Sequence, residues 1–208
     1  MLMPAVLYAD SEIVVVDKPA NLLSVPGRGP DKQDCLWKRV QREFPTARIV
    51  HRLDYATSGV MVLALDEAAH RALSIQFQER RTAKRYQAIV AGTPAQSAGE
   101  IDLPLRCDWE RRPRQMVDPV QGKPALTRWE VIERTALGTR LALHPVTGRS
   151  HQLRVHLMAI GHPILGDHFY ASQQQQAMSD RLLLHAEYLG LFHPRSGDWC
   201  EFSTPCPF

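Results

Sequence analysis

His51-Arg52-Leu53-Asp54-Tyr55-Ala56-Thr57-Ser58-Gly59-Val60, followed by Met61-Val62-Leu63-Ala64-Leu65, is the stretch that decides the fold. Small, turn-forming residues lead from Asp54 into an apolar run too short for a helix, which predicts a central strand over Val60 to Leu65. An aspartate on a tight connection beside a rigid strand is held with little freedom, which suits a reacting group. Taken alone, Arg52-x-Asp54 reads as readily as a capped turn with a surface ion pair. A reactive Asp54 needs further groups from elsewhere in the chain.

Working outward, Ala5 to Tyr8 and Ile13 to Val16 read as two strands around the turn signal Asp10-Ser11, the second closed by Pro19. Asp34 is the expected N-cap of a helix carrying Leu36, Val40 and Phe44, stopped by Pro45. After the central strand, Asp66 caps a helix with Ala69, Leu73 and Phe77 on one face. A strand over Tyr86 to Gly92 and a loop over Gly92 to Gly99 follow. Ile101 to Leu105 reads as a short strand, and Arg106 to Arg114 as a polar, basic segment with four arginines around Trp109. A strand pair is expected over Ala125 to Glu133 and Arg140 to His144. Ser150 to Ile160 reads as a helix with Leu153, Leu157 and Ile160 inward and Gly161 at its stop. Ser172 to Asp180 is a solvated loop or short helix, and Leu182 to Leu191 and Trp199 to Ser203 are closing strands. Strands and helices mix without strict βαβ alternation, so the expected class is α+β with a largely antiparallel or mixed sheet. One domain is expected, with a weak lobe boundary near Gly92 to Gly99.

Composition narrows the function classes. The 208 residues are 44% hydrophobic and 23% charged, as in an ordinary globular protein with a real core. No apolar run approaches the ~20 residues of a membrane span, and the first residues carry no basic, then apolar, leader. A cytoplasmic protein without membrane attachment is expected. Four scattered cysteines form neither a disulfide framework nor a zinc pattern. The formal charge of +3 permits a polyanionic partner without requiring one.

Metal, hydrolase and phosphate-loop chemistries are then set aside. His151 and His156 are five apart, which puts them on different helix faces, unlike the His-Glu-x-x-His spacing. Gly-x-Ser-x-Gly is absent, and Gly27-Arg28-Gly29-Pro30 lacks the Gly-Lys-Ser/Thr of a phosphate cradle. Carboxylate chemistry at Asp54 remains. A buried Asp54 needs a cation to stay ionised. Thr147 to His156 supplies Arg149 and Arg154, the latter between apolar neighbours and itself in need of a carboxylate, whether Asp54 or another acid. Tyr86 follows the basic run Arg80, Arg81, Lys84, Arg85. It reads either as a base-stacking ring with phosphate contacts around it or as a core strand residue beside a solvated face.

Together and in this order, these elements resemble the RluA family of pseudouridine synthases. His51-Arg52-Leu53-Asp54-x-x-Thr57-Ser58-Gly59 is similar to its catalytic motif, and Lys84-x-Tyr86 with Gly92 to its second. Thr147-Gly148-Arg149-x-His151-Gln152-Leu153-Arg154-x-His156 with Gly161 to Asp167 is similar to its third. Lys18-Pro19 and Leu184-His185-Ala186 also fit, so nearly the whole chain is covered. The resemblance implies a pseudouridine synthase fold with flanking helices and a central RNA-binding cleft. It also implies one catalytic domain over 1–208, without an N-terminal S4-like RNA-binding module.

Resemblance to the compact dual-specificity members implies uridine 746 of 23S rRNA and uridine 32 of the tRNA anticodon stem-loop as targets. It makes Asp54 the nucleophile, Arg154 its ion-pair partner and Tyr86 the ring that stacks on the base and takes the C5 proton. Arg52 would hold the opened base. Arg80, Arg81, Lys84, Arg85, Arg111, Arg112, Arg114, Arg149 and His151 would contact RNA. No cofactor and no metal are expected, and a monomer is the simplest state. The alternatives are a non-catalytic RNA-binding protein of the same fold and a metal-dependent phosphoesterase using Asp54 and histidines.

Overall fold

A computed structural model describes Leu2 to Phe208. The chain forms two compact units. One holds the chain up to Lys84 with His185–Pro207, and the other holds Arg85–Leu184 with Phe208. The boundary therefore falls inside the strand that carries Lys84 and Tyr86. The loop over Gly92 to Gly99, the expected lobe boundary, is internal to the second unit.

The first unit contains β1 (Ala5–Ala9), β2 (Ile13–Lys18), α1 (Leu36–Val40), β3 (Arg48–Ile49), β4 (Ser58–Ala64), α2 (Glu67–Gln78) and the start of β5 (Ala83–Val90). The second continues with β6 (Ala98–Asp102), β7 (Leu105–Cys107), β8 (Gln115–Val117), β9 (Leu126–Arg134), β10 (Thr139–Pro145), α3 (Gln152–Ala159) and α4 (Gln173–Gln176). The chain then enters β11 (Leu184–Phe192) and β12 (Trp199–Ser203), back in the first unit. The result is the mixed α+β architecture that the residue pattern predicts.

In the first unit β4 is buried over its whole length, as its unbroken apolar run requires. It pairs antiparallel with β2 and β3, and parallel with β11 through Ser58↔His185 and Gly59↔Ala186. Alternate residues share a face, so Ile13 and Val15 of β2 line up with Val60, Val62 and Ala64 of β4. These pack with Ala69 and Leu73 of α2 and with Leu189 and Leu191 of β11, and Phe77 closes the cluster. Asp66 caps α2 as expected, accepting the Ala69 N–H at 2.7 Å. Gly59 sits at φ 122°, and a Cβ there would lie 2.1 Å from the Ala186 carbonyl oxygen. Only glycine permits β4 and β11 to meet at this point.

The second unit is an antiparallel sheet in the order β5-β10-β9-β6, with Tyr86 opposite Leu143. β7 and β8 form a separate ribbon. Leu105, Ala125 and Val155 pack as a small core with Val117, Met158 and Tyr170.

Several local expectations are corrected. α1 starts from Cys35, not Asp34, because the Asp34 carboxylate takes the Arg39 guanidinium at 2.6 Å instead of capping the helix. α3 begins two residues late, since His151 is left-handed at φ 53°. It is also not one-faced: Gln152 to Leu157 are all buried, so its polar side chains find partners inside the protein. The short strand expected over Ile101 to Leu105 is split between β6 and β7, which pair with different neighbours.

Candidate active site

Asp54 lies on the loop between β3 and β4, and the peptides on both sides of it are held. The Ser24 hydroxyl accepts the Leu53 N–H at 3.1 Å and donates to the Leu53 carbonyl at 2.7 Å. On the other side, the Tyr55 carbonyl accepts the Leu22 N–H and the Lys18 ammonium, both at 3.2 Å. Lys18 is fully buried and also donates to the carbonyls of Leu22 at 2.7 Å and Pro19 at 3.0 Å. The Thr57 N–H closes the turn onto the Asp54 carbonyl at 3.1 Å. Ser58 then anchors the start of β4, with its Oγ 2.8 Å from Nδ1 of the buried His185. Nε2 of His185 faces the Thr204 carbonyl at 3.3 Å and must donate there, so Nδ1 accepts from Ser58. This network fixes the backbone around Asp54, which is half-buried.

The other residues of the motif divide by exposure. Arg52 points to solvent, as does Tyr55, which is 54% exposed. His51 turns inward: its ring stacks on Phe77 at 4.5 Å and its Nε2 accepts the Val62 N–H at 3.2 Å. Burial, and then the nearby Lys84 charge, hold its pKa down to about 3, so the ring stays neutral. Lys84 is itself pushed below the usual lysine range by burial and by Arg80. Arg80 and Arg81 are exposed, and Arg81 spreads over the Phe192 ring at 5.4 Å and lies 3.7 Å from Glu79.

In the second unit Arg154 is buried, and Asp167 receives it in two-pronged fashion, Nε to Oδ2 at 2.8 Å and Nη2 to Oδ1 at 2.7 Å. Asp167 also accepts the N–H groups of Phe169 and Tyr170, at 2.9 and 3.3 Å. Burying such a pair is tolerable only when its remaining valences are met in this way. Gly166 makes the turn possible: at φ 74°, a Cβ would lie 1.9 Å from the Arg181 carbonyl oxygen.

The turn presents Phe169 and Tyr170, onto which three expected site residues converge. Arg154 lies 5.2 Å from each ring centroid, Arg114 5.9 Å from Phe169, and His151 stacks on Phe169 at 5.7 Å. The Tyr170 hydroxyl accepts the Gln115 N–H at 2.8 Å and meets Nδ1 of His151 at 2.7 Å. Tyr86 is half-buried on β5, Arg85 beside it is exposed, and Arg149 donates to the Pro124 carbonyl at 3.1 Å. Arg111 is engaged by Asp108 at 2.8 Å, whereas Arg112 and Arg114 have no carboxylate partner among the described residues.

Ser24, Lys18, His185, Asp167, Phe169 and Tyr170 are the functional supports that sequence reasoning did not assign. A charge on the last residue of an apolar strand was a signal for Lys18. The need of Arg154 for an acid was a signal for Asp167. His156, weighed as a metal ligand, instead sits between Thr127 Oγ1 and the Leu103 carbonyl, each at 2.9 Å, and burial lowers its pKa.

A family model described as RNA pseudouridylate synthase matches residues 12–159. A protein of Escherichia coli O6:H1 named dual-specificity RNA pseudouridine synthase RluA is 55% identical over 98% of this chain and 93% of its own length. A protein of the same name from Yersinia pestis is 56% identical over 98% and 96%. Among solved structures, human RNA pseudouridylate synthase domain containing 1 superposes with a TM-score of 0.83 at 33% identity, covering 99% of this chain and 84% of that one.

Proposed function

The chain belongs to the RluA family of RNA pseudouridine synthases, and on that premise we propose that it modifies two RNAs: uridine 746 of 23S rRNA and uridine 32 of the tRNA anticodon stem-loop. The enzyme is an isomerase acting on uridine in RNA. Support for this pair of substrates comes from 55–56% identity, over nearly the full chain, to proteins named as dual-specificity. The chain would act as one catalytic domain and as a monomer.

In the isomerisation the N1–C1′ bond breaks, uracil turns, a C5–C1′ bond forms, the C5 proton leaves and N1 takes up a proton. No net oxidation or reduction occurs and no group donor enters. Asp54 is the nucleophile in this scheme, and the observation that carries the assignment is the hold on both peptides flanking it, by Ser24 on the Leu53 carbonyl and by the Thr57 N–H on the Asp54 carbonyl, with Lys18 fixing the next peptide. A reacting carboxylate gains most when its backbone cannot drift, because misplacement by about 1 Å can cost two orders of magnitude in rate.

Arg154, oriented by Asp167, is assigned as the cation for the ionised Asp54, on the strength of the sequence motif. Tyr86 is assigned to stack on the target base and accept the C5 proton. Extruding the uridine costs roughly a few kcal/mol, and Arg52, solvent-facing two residues before Asp54, is assigned to hold the opened stem-loop.

The test is tritium release from C5-labelled uridine in two transcripts, an anticodon stem-loop and the 23S stem-loop. Release from both supports the proposed pair. Release from neither, with release from bulk RNA, keeps the chemistry and removes the substrates.

A further inference from the structure

Four tryptophans are present, and three have a structural task. Trp37 donates its indole N–H to the Ala47 carbonyl at 2.7 Å. Trp129 is 7% exposed, and its ring lies close over Gly99. Trp199 donates to Glu201 at 2.9 Å and packs edge-on against Phe192. Trp109 differs: it is 65% exposed, and its indole N–H has no partner among the described residues. Among the described residues its one ring contact is the Arg112 guanidinium, 4.9 Å from the centroid.

The loop that carries Trp109 is held in place. It joins β7 to β8, with the Asp108 N–H bonded to the Arg114 carbonyl at 3.0 Å, Arg111 N–H to Asp108 carbonyl at 3.2 Å and Arg114 N–H to Arg111 carbonyl at 3.0 Å. The buried Asp108 carboxylate takes Arg111, and Arg106 at the base of the ribbon pairs with Asp118. The N–H groups of Gln121 and Val120, with Arg106, hold Asp118 down at a pKa of about 2, so that anchor persists across the working pH range. A large apolar ring is thus displayed on a loop whose own hydrogen bonds restrain it. One side of the ring is covered by the Arg112 guanidinium, which has no carboxylate partner among the described residues, and the same loop carries Arg114, also without one, toward Phe169.

An exposed aromatic face backed by a guanidinium without a carboxylate partner, on a loop that carries a second, matches the chemistry of an unstacked base and its phosphates. Guanidinium groups left without neutralising carboxylates favour a polyanionic partner over a protein surface. We propose that Trp109, backed by Arg112, is a stacking platform for an unpaired base of the RNA substrate other than the target uridine. The assignment rests on the proposed action on structured RNA, and it makes Trp109 a specificity-determining residue rather than part of the chemistry.

The experiment compares the full-length wild type, Trp109→Ala and Trp109→Phe on the labelled anticodon stem-loop. Tryptophan fluorescence is followed during titration with the same RNA. The expected result is a KM raised about 5-fold or more in Trp109→Ala with kcat within about twofold. Trp109→Phe should recover most of that affinity, and the RNA-induced quenching seen in wild type should be lost in Trp109→Phe. An unchanged KM in Trp109→Ala, with quenching that persists in Trp109→Phe, overturns the proposal and leaves a protein-docking role for the ring. Should wild type release no tritium, the substrate assignment fails separately. Quenching then still decides the platform, because a difference between wild type and Trp109→Phe supports it and no difference overturns it.

Discussion

The Ser24 hydroxyl holds both peptides of Leu53, receiving its N–H at 3.1 Å and donating to its carbonyl at 2.7 Å. Leu53 precedes Asp54, so the second of these bonds fixes the peptide on which the reacting carboxylate is carried. On the far side the Thr57 N–H holds the Asp54 carbonyl, and Lys18 fixes the next peptide through the Tyr55 carbonyl. The placement of Asp54 thus depends on polar groups brought to the surrounding backbone by the end of β2 and the segment that follows it.

Ser24→Ala removes a buried hydroxyl and leaves the Leu53 N–H and carbonyl without it, at a cost of about 1–3 kcal/mol. Urea denaturation should show that loss, and steady-state kinetics should show kcat falling more than KM rises. A variant that loses RNA affinity while retaining kcat would contradict the positioning role.

Lys18→Met strands three carbonyls at once, those of Pro19, Leu22 and Tyr55. Hydrogen bonds from a charged donor contribute about 1.5–3 kcal/mol each. The urea midpoint should therefore drop further than in Ser24→Ala, and equal midpoints would show that the ammonium is replaceable.

Asp167→Asn leaves the buried Arg154 guanidinium without its charge partner on that side, which typically costs about 3–5 kcal/mol. Combining it with Arg154→Leu should recover part of the lost stability, although not the activity. Full additivity of the two losses in a double-mutant cycle would mean that the pair is not coupled.

The neutral His51 ring makes stability depend on pH. Its pKa is near 6.5 when unfolded and about 3 when folded, so between those values the unfolded chain binds more protons. Stability is full above pH 6.5 and declines as pH falls toward 3. Thermal midpoints measured from pH 7.5 to 4 should fall for wild type and fall less steeply for His51→Gln. Parallel slopes would remove His51 as the source.

How far the site could be read from sequence depended on the type of contact. Asp54 and Arg154 carry charge in a dense motif, and the β4 core follows from an unbroken apolar run, so both were legible. Ser24 and Lys18 act on main-chain atoms, and a backbone carbonyl leaves no mark on the identity of its residue. Asp167 lies at the end of the third motif, but its role appears only when the turn at Gly166 brings its carboxylate to Arg154. The spacing of Leu153, Leu157 and Ile160 predicts a one-faced α3. In the fold, Gln152, Arg154 and His156 are buried as well, each satisfied by a partner that periodicity cannot reveal. Asp34 failed as a cap because a nearby arginine competed for the same carboxylate.

The central claim is that Asp54 performs the chemistry on a backbone held from both sides. The measurement that tests it most directly is tritium release from a C5-labelled anticodon stem-loop by Asp54→Asn, with folding verified by an unchanged urea midpoint and RNA binding measured in parallel. The predicted result is release at least about 1,000-fold slower than wild type with RNA affinity retained. Release within tenfold of wild type from a folded, RNA-binding Asp54→Asn would contradict it.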